Sequence, residues 1–519
     1  MTEHKLLRPS FSRLQRYVRD QNFILLAVIF VSALLIRIYH LGTMPIDMDH
    51  GTYARWLISA LTLENHGFYS DLKEMPNLTI ALLPLFQYVS AFFMLITGSK
   101  AVLVPRAISV FSGALTCAVV YLICLRLYRQ NWFAVIGGMV LAFQPWHIDY
   151  STLGTSVVFT GLLVVLMIHC FLLDRIGWFS IFSALAMITA YEGWFFIFIL
   201  TVLGFLRRGW RGKRLLYPIA VASAVCLGWT GWSILNTGDP AAWVKLSLYM
   251  MFPLGWEIHL SDPAIFLDYF NLSLTMTFFM LYIGIVFGVL RGREPRLLVV
   301  ILLAYMLFFS TAKYLGLDYG YEWRLITTLP LVAMVVPPAF PKKSMIKRIT
   351  VVSILVILVA SCFLSQIWIF PTKVYIVMPD QRMGLKLNEN YVGGKILCDS
   401  PIVIYYSEIG LSEFMSYDLL DWHLKTPDSR KLADWLKTNN VKLIVWMAVP
   451  YSKAMMVFPE LQDADPHKIG DVSLELVYED SYRLYMMYKE LKLRGIVQQN
   501  PYAEHAFPWM FDILVYKVT

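Results

Sequence analysis

The chain has 519 residues, 58% of them hydrophobic and 15% charged, with a mean hydropathy of +0.59. Soluble globular domains are about half apolar and about a quarter charged, so the composition excludes an ordinary soluble fold and points to a polytopic α-helical membrane protein. The net charge of +8 is no nucleic-acid footprint, because Lys and Arg fall in short clusters between apolar runs, as cytoplasmic loops do.

Residues 1–22 form a basic tail with Lys5, Arg8, Arg13, Arg16 and Arg19. The apolar run after it is long for a signal peptide and has no small-residue cleavage site behind it. It reads as a retained span with the N-terminus cytoplasmic. Runs near the length of a bilayer crossing occur at 23–41, 105–125, 131–147, 152–173, 215–235, 271–290, 296–312, 324–340 and 349–370. The basic clusters Arg126/Arg129, Arg175, RRGWRGKR at 207–214, RGREPR at 291–296 and PKKSMIKR at 341–348 are assigned to the cytoplasmic side. Arg175 and Arg207 then share a side, so 177–206 crosses twice, as two short helices turning near Glu192. By the same parity 79–97 does not cross. Its Pro84 and Gln87 suit a helix in the outer interface. The total is about 11 spans, with 42–104 as the first outer loop and 147–152 as another.

From 371 to 519 the character changes. KILCDSPIVIYYSE, VKLIVWMAVP, LELVYED and FDILVYKVT are β-rich, and DSRKLADWLKTNN has Leu432, Trp435 and Leu436 at helical spacing. Strands alternating with a helix predict a small α/β domain, on the extracytoplasmic side by parity. Six scattered cysteines without a CxxC or a Cys/His cluster predict neither a structural disulfide nor a zinc site.

Acidic residues gather on the expected outer face. Asp47 and Asp49 lie in IDMDHGTYARW at the lip of the first span, Asp149 in QPWHIDYS, Glu192 at the hairpin turn, and Asp318 and Glu322 in KYLGLDYGYEWRL. Cations there include Arg37, Arg55, Arg106, Lys313 and Arg324. A carboxylate can take a proton from an attacking hydroxyl, and cations can hold a departing phosphate. An acid in an outer loop is ordinarily just solvated. Charges as close to the bilayer as Asp47 and Asp49 are costly without a role or a partner. For Arg37, snorkelling to the interface and a catalytic contact are both open. For Glu192, a structural hydrogen bond and a functional one are both open.

These motifs, in this order, resemble the GT-C superfamily of membrane glycosyltransferases, in its protein mannosyltransferase and aminoarabinose transferase branch (family 39-like). The likeness covers about residues 1–370 and rests on six short matches. LLIRIYHL matches a first span ending LLRxxxL, and Asp49-His50-Gly51-Thr52-Tyr53 matches an acidic D-E-x-x-Y motif. Leu83-Pro84-Leu85 stands where that branch has P-P-L, and PRAIS supplies the Arg opening the second span as Arg106. AFQPWHID ends a third span in Pro, and EWRLITTLPL supplies a late Arg as Arg324. His50 replaces the branch's Glu, and Leu83 its first Pro. The resemblance implies a GT-C transmembrane domain over 23–370 and a polyprenyl-phosphate sugar donor. It implies a glycan, lipid or protein acceptor and an inverting transfer with Asp49 as general base. Asp47 would be a second acid or orient the first, and Arg324, Arg106, Lys313 or Arg55 would hold the donor phosphate. His50, Tyr53, Asp149, Glu192 and Glu322 are further candidates. It implies no cofactor, and no nucleotide-binding motif is present.

Two other readings stand beside this one. An oligosaccharyltransferase-like enzyme would use a divalent metal, with Asp149 in a second acidic site. DYGYEW at 318–323 does not replace that group's WWDYG motif. A transporter or flippase would be expected to show internal repeats, and none is visible.

Overall fold

The computed structural model of the protein describes residues 21–43, 83–99, 101–241, 266–267, 270, 280–290, 292–314, 322–340, 353, 378–398, 400–415, 429–447, 458, 461, 467–481 and 512–519. They fall into two compact units. The first draws on 1–44, 102–228 and 257–365, the second on 45–101, 229–256 and 366–519.

The first unit is helical. Helix α1 (Gln21–Thr43) belongs to it, and α2 (Leu85–Thr97) to the second unit. Then come α3 (Leu103–Tyr128), α4 (Asn131–Ala142), α5 (Pro145–Thr152), α6 (Ser156–Leu172), α7 (Ile176–Met187), α8 (Tyr191–Arg208) and α9 (Lys213–Thr237), whose residues from Trp229 onward belong to the second unit. Helices α10 (Met280–Leu290), α11 (Arg293–Tyr314), α12 (Glu322–Ile326) and α13 (Leu329–Val335) complete it. Helix α3 is the hub, packed against α1, α4, α5 and α6. Its buried face carries small residues, among them Ser109, Ser112, Gly113, Ala114, Thr116 and Cys117. Small residues let apolar helices approach closely where no water drives them together. Two hydroxyls on this face are satisfied within the helix: Ser112 donates to the Ile108 carbonyl and Thr116 to that of Ser112, each at 2.7 Å.

Among the described residues four helices are long and apolar enough to cross a membrane: α1, α3, α9 and α11. A fifth is reached if α5 and α6, bent by 118° to one another, are one broken span. The expected crossings at 131–147, 177–206 and 324–340 fall on shorter apolar helices. Span 349–370 lies outside the described residues apart from residue 353, and 271–290 is described only from Met280. The two-helix reading of 177–206 matches the structure: α7 and α8 meet at residues 188–190. Gly193 makes that turn feasible, because a Cβ there would strike the backbone of Ala186.

The expected outer loop at 147–152 is corrected. Those residues are helical, because Pro145 occupies the first helical turn, where its missing N–H costs nothing. Gln144 caps the turn by accepting from the His147 N–H at 2.6 Å. Remote from this region, Trp210 is fully buried against Phe171 and Phe179, with ring centroids 5.2 and 5.4 Å away. Its indole donates to Asp174 at 2.9 Å, and Arg214 donates to the same carboxylate at 2.7 Å.

The second unit holds a six-stranded sheet of order β2-β1-β3-β6-β5-β4. Its strands are β1 (Lys395–Leu397), β2 (Phe414–Met415), β3 (Val441–Met447), β4 (His467–Ile469), β5 (Val472–Ser481) and β6 (Asp512–Val518). β2, β1 and β3 are parallel, and the β3–β6, β6–β5 and β5–β4 pairs are antiparallel. Both faces are covered. Ile444, Trp446, Leu514 and Tyr516 pack with Leu432, Ala433 and Leu436 of α16 (Ser429–Thr438). Leu443, Val445 and Val515 point the other way, to Met383 and Leu387 of α14 (Met378–Asn390) and Val403 and Ile404 of α15 (Pro401–Ser407). Strands buried on two faces read as continuous apolar runs, as VKLIVWM does. Tyr88 of α2 and Trp232 of α9 pack against this second core. The β-rich reading of 395–408 holds only for its first three residues. PIVIYYS is helical because Ser400 caps it, accepting from the Val403 N–H, and Pro401 starts it. Gln87, read from sequence as an interfacial polar residue, is 1% exposed.

Candidate active site

The polar core of the first unit is built around α5. Arg37, near the end of α1, is completely buried, so the snorkelling alternative is corrected. Its Nε donates to Ser151 Oγ at 3.1 Å, and its Nη1 to the carbonyls of Ala33 at 2.9 Å and Ala142 at 3.3 Å. Its Nη2 lies 2.6 Å from His147 Nδ1 and 3.7 Å from Cys117 Sγ. A guanidinium has donors only. His147 Nδ1 therefore accepts, which places the ring proton of the neutral imidazole on Nε2. His147 and Ser151 are four apart and share one face of α5, and the Ser151 hydroxyl donates to the His147 carbonyl. One arginine thus fixes both the position and the rotation of the short helix. Gly113 of α3 leaves the room: a Cβ there would lie 2.8 Å from Arg37 Nε and would also collide with Ser151.

The fixed rotation presents Asp149 to α1. Asp149 is 3% exposed, and its Oδ1 lies 2.7 Å from Nε2 of His40, itself 2% exposed. The expectation of a solvated loop carboxylate is corrected on both counts, conformation and burial. Arg106 closes the same end of the bundle. Its Nε donates to the Thr152 carbonyl at 2.6 Å and its Nη2 to that of Leu41 at 3.4 Å, and the side chain is nearly buried. It ties the last turns of α1 and α5 to the first turn of α3. Ser109 adds a bond to the Thr155 carbonyl at 3.0 Å.

A second charged group is built on α12, which packs against α5 and α6. Arg324 Nη1 lies 2.7 Å from Glu192 Oε1, with the two side chains 16% and 10% exposed. The guanidinium carbon stands 5.0 Å from the centroid of the Phe309 ring, a cation–π arrangement. The hydroxyl of buried Tyr305 donates to the Arg324 carbonyl at 2.8 Å and fixes its backbone. Glu192 sits in the first turn of α8, where the helix dipole favours a carboxylate.

Of the sequence candidates, Asp149 and Arg106 are therefore joined through α5, and Glu192 and Arg324 are joined to each other. Lys313 lies in the last turn of α11 and is partly exposed, and Glu322 opens α12. Asp47, Asp49, His50, Tyr53 and Arg55 lie outside the described residues. The sequence reading missed His40, His147 and Ser151. A signal was present, since an arginine inside an apolar span needs buried partners and HIDYS offers two polar groups on one helical face. Among the described residues no group of three or more His, Cys, Asp or Glu is placed to hold a metal ion.

The sequence matches no family model. Over 180 residues it is 29% identical to dolichyl-phosphooligosaccharide-protein glycotransferase 2 of Archaeoglobus fulgidus. That match covers 34% of this chain and 28% of the relative, so it spans little more than a quarter of that protein's length. The fold is similar to that of ArnT from Cupriavidus metallidurans bound to undecaprenyl phosphate. The TM-score is 0.55 and the identity 14%, over 94% of this chain and 97% of that one. It is also similar to the A. fulgidus oligosaccharyltransferase tethered to an acceptor peptide containing the NVT sequon. There the TM-score is 0.51 and the identity 14%, over 81% of this chain and 68% of that one. With its apolar helices and buried charged groups, the chain reads as an integral membrane protein, and its fold is the GT-C fold of these solved structures.

Proposed function

We propose that the protein transfers a sugar from a polyprenyl-phosphate-linked donor to an acceptor hydroxyl on the extracytoplasmic side of the membrane, with inversion at the anomeric carbon. The observation that carries this reading is the likeness to ArnT over almost the whole of both chains. The buried pairs His40–Asp149 and Glu192–Arg324 support it, because charges held out of water among apolar helices are costly without a role. In this reading Asp49 takes the proton of the acceptor hydroxyl as its oxygen forms the bond to the anomeric carbon. The bond from that carbon to the phosphate oxygen breaks, and polyprenyl phosphate leaves. Asp47 orients the base or the acceptor. Arg324, with Lys313 and Arg55, stabilises the charge growing on the leaving phosphate. Arg106, bonded to two backbone carbonyls, holds the frame. No nucleotide enters the reaction, and the lipid keeps the scissile bond at the depth of the helix ends.

A second reading, an oligosaccharyltransferase-like enzyme, is favoured by the match to the archaeal glycotransferase. It would use a divalent cation. The described residues offer only the His40–Asp149 pair, so the first outer loop would have to supply the other ligands.

The test is transfer of radiolabelled sugar from polyprenyl-phosphate sugar to endogenous acceptors in membranes, for wild type, Asp49→Asn and Asp47→Asn at matched expression, with and without EDTA. Activity lost in Asp49→Asn and unaffected by EDTA supports the first reading. Activity abolished by EDTA favours the second. Full activity of Asp49→Asn removes that residue as the base, and inactivity of the wild type with every donor returns the transporter alternative.

A further inference from the structure

We propose that Glu192 is a specificity-determining residue of the donor-phosphate site, selecting lipids whose linkage carries one phosphate charge over those carrying two. This deepens the reading above and rests on Arg324 meeting the lipid phosphate.

The geometry supplies the argument. Arg324 and Glu192 are in contact at 2.7 Å and are mostly withdrawn from water. Any anion brought to that guanidinium is also brought within a few ångströms of the carboxylate. The Phe309 ring under the guanidinium and the Tyr305 hydroxyl on its backbone hold Arg324 where it is, so the cation does not swing away with a ligand. The pair is neutral as a whole. It can orient a phosphate through hydrogen bonds from Arg324, but it adds no net positive charge to offset the desolvation of the anion. That desolvation cost climbs steeply with charge, while the attraction available in a partly dry site is set by the net charge facing it. A phosphodiester, singly charged, is accommodated. A diphosphate diester, doubly charged, brings a second charge that the pair does not compensate, because Glu192 cancels Arg324 and leaves Lys313 and Arg55 alone to meet it.

Removing the carboxylate charge makes the pair net positive. The gain is then proportional to ligand charge, so the doubly charged lipid benefits twice as much. Structural damage alone would weaken both lipids alike and leave their ratio unchanged.

The experiment measures binding of two synthetic short-chain lipids, a polyprenyl methyl phosphate and a polyprenyl methyl diphosphate, to the purified full chain in nanodiscs. Wild type should bind the monophosphate more tightly. Glu192→Gln should reduce that preference about tenfold, equivalent to about 1.4 kcal/mol, and Glu192→Asp should keep it. A wild type that prefers the diphosphate overturns the proposal without any variant, as does an unchanged ratio in a folded Glu192→Gln. If wild type binds neither lipid, the parent reading of a lipid-phosphate donor falls with it. Binding of the monophosphate with an unchanged ratio sinks the role of Glu192 alone.

Discussion

Replacing Arg37 by methionine removes a guanidinium that nothing else in the bundle replaces, while roughly refilling its volume. Four contacts reach other elements: Ser151 and His147 on α5, the Ala142 carbonyl of α4 and Cys117 on α3. Polar contacts between helices in membranes contribute about 0.6 kcal/mol each. Stranding the His147 ring nitrogen and the Ala142 carbonyl, both on buried residues, adds about 1–3 kcal/mol. The expected loss is about 3–5 kcal/mol of unfolding free energy by that arithmetic. Arg37→Lys, which keeps the charge but presents fewer donors on a shorter reach, should fall between. The assay is equilibrium unfolding of purified protein in mixed micelles, with maleimide labelling of Cys117 as a local report. Cys117 is buried beside the guanidinium and should label faster in Arg37→Met. If that variant unfolds within about 0.5 kcal/mol of wild type, as an ordinary surface substitution does, then Arg37 does not anchor α5.

Asp174 joins Trp210 to Arg214 and has a backbone φ of +55°. Asp174→Ala should cost about 1–3 kcal/mol, because the buried indole N–H loses its acceptor. Asp174→Asn, which tolerates that backbone and still accepts, should retain most of the stability in the same unfolding assay. In the second unit, the Tyr391 hydroxyl lies 2.9 Å from the Gly394 carbonyl and from Glu413, its one proton shared between the two acceptors. Burial first, and then its bond to Glu413 and that carboxylate's charge, push its pKa up to about 12. A raised folded-state pKa means that the stabilisation is complete below the ordinary tyrosine value of about 10. It is lost as the pH rises through about 12. The stability difference between wild type and Tyr391→Phe should be flat up to the lower value and shrink above it. A difference that grows on the alkaline side would contradict this.

What could be read from the sequence was set by local rules. The α7–α8 hairpin was legible because its length exceeded one crossing and the charges at its two ends demanded an even count. α16, β3 and β6 were legible from periodicity and continuous apolar runs. PIVIYYS was not, because its β-branched composition suggested strand while a serine cap and a proline at the first turn decided for helix. The polar core was partly visible. Asp149, Glu192, Arg106 and Arg324 stood out as charges at span ends, but the partner of Asp149 is 109 positions away, Glu192 and Arg324 are 132 apart, and the partners of Arg106 are 46 and 65 away. No window along the chain contains such pairings. For Arg37 snorkelling stayed open beside an inward contact because snorkelling is a property of one helix end, whereas its burial depends on α3, α4 and α5 arriving around it.

The order of strands has a consequence for how the protein is made. β6, residues 512–518, is latest in chain order yet lies between β3 and β5 in the sheet. Until those seven residues leave the ribosome, the parallel strands β2-β1-β3 and the hairpin β4-β5 share no hydrogen bonds. Each has an open inner edge of the kind that invites pairing with another chain. A nascent or prematurely terminated chain would therefore carry two unsealed half-sheets. The arrival of β6 is the event that zips them together, so quality control acting on this protein has a sharply defined structural signal to read.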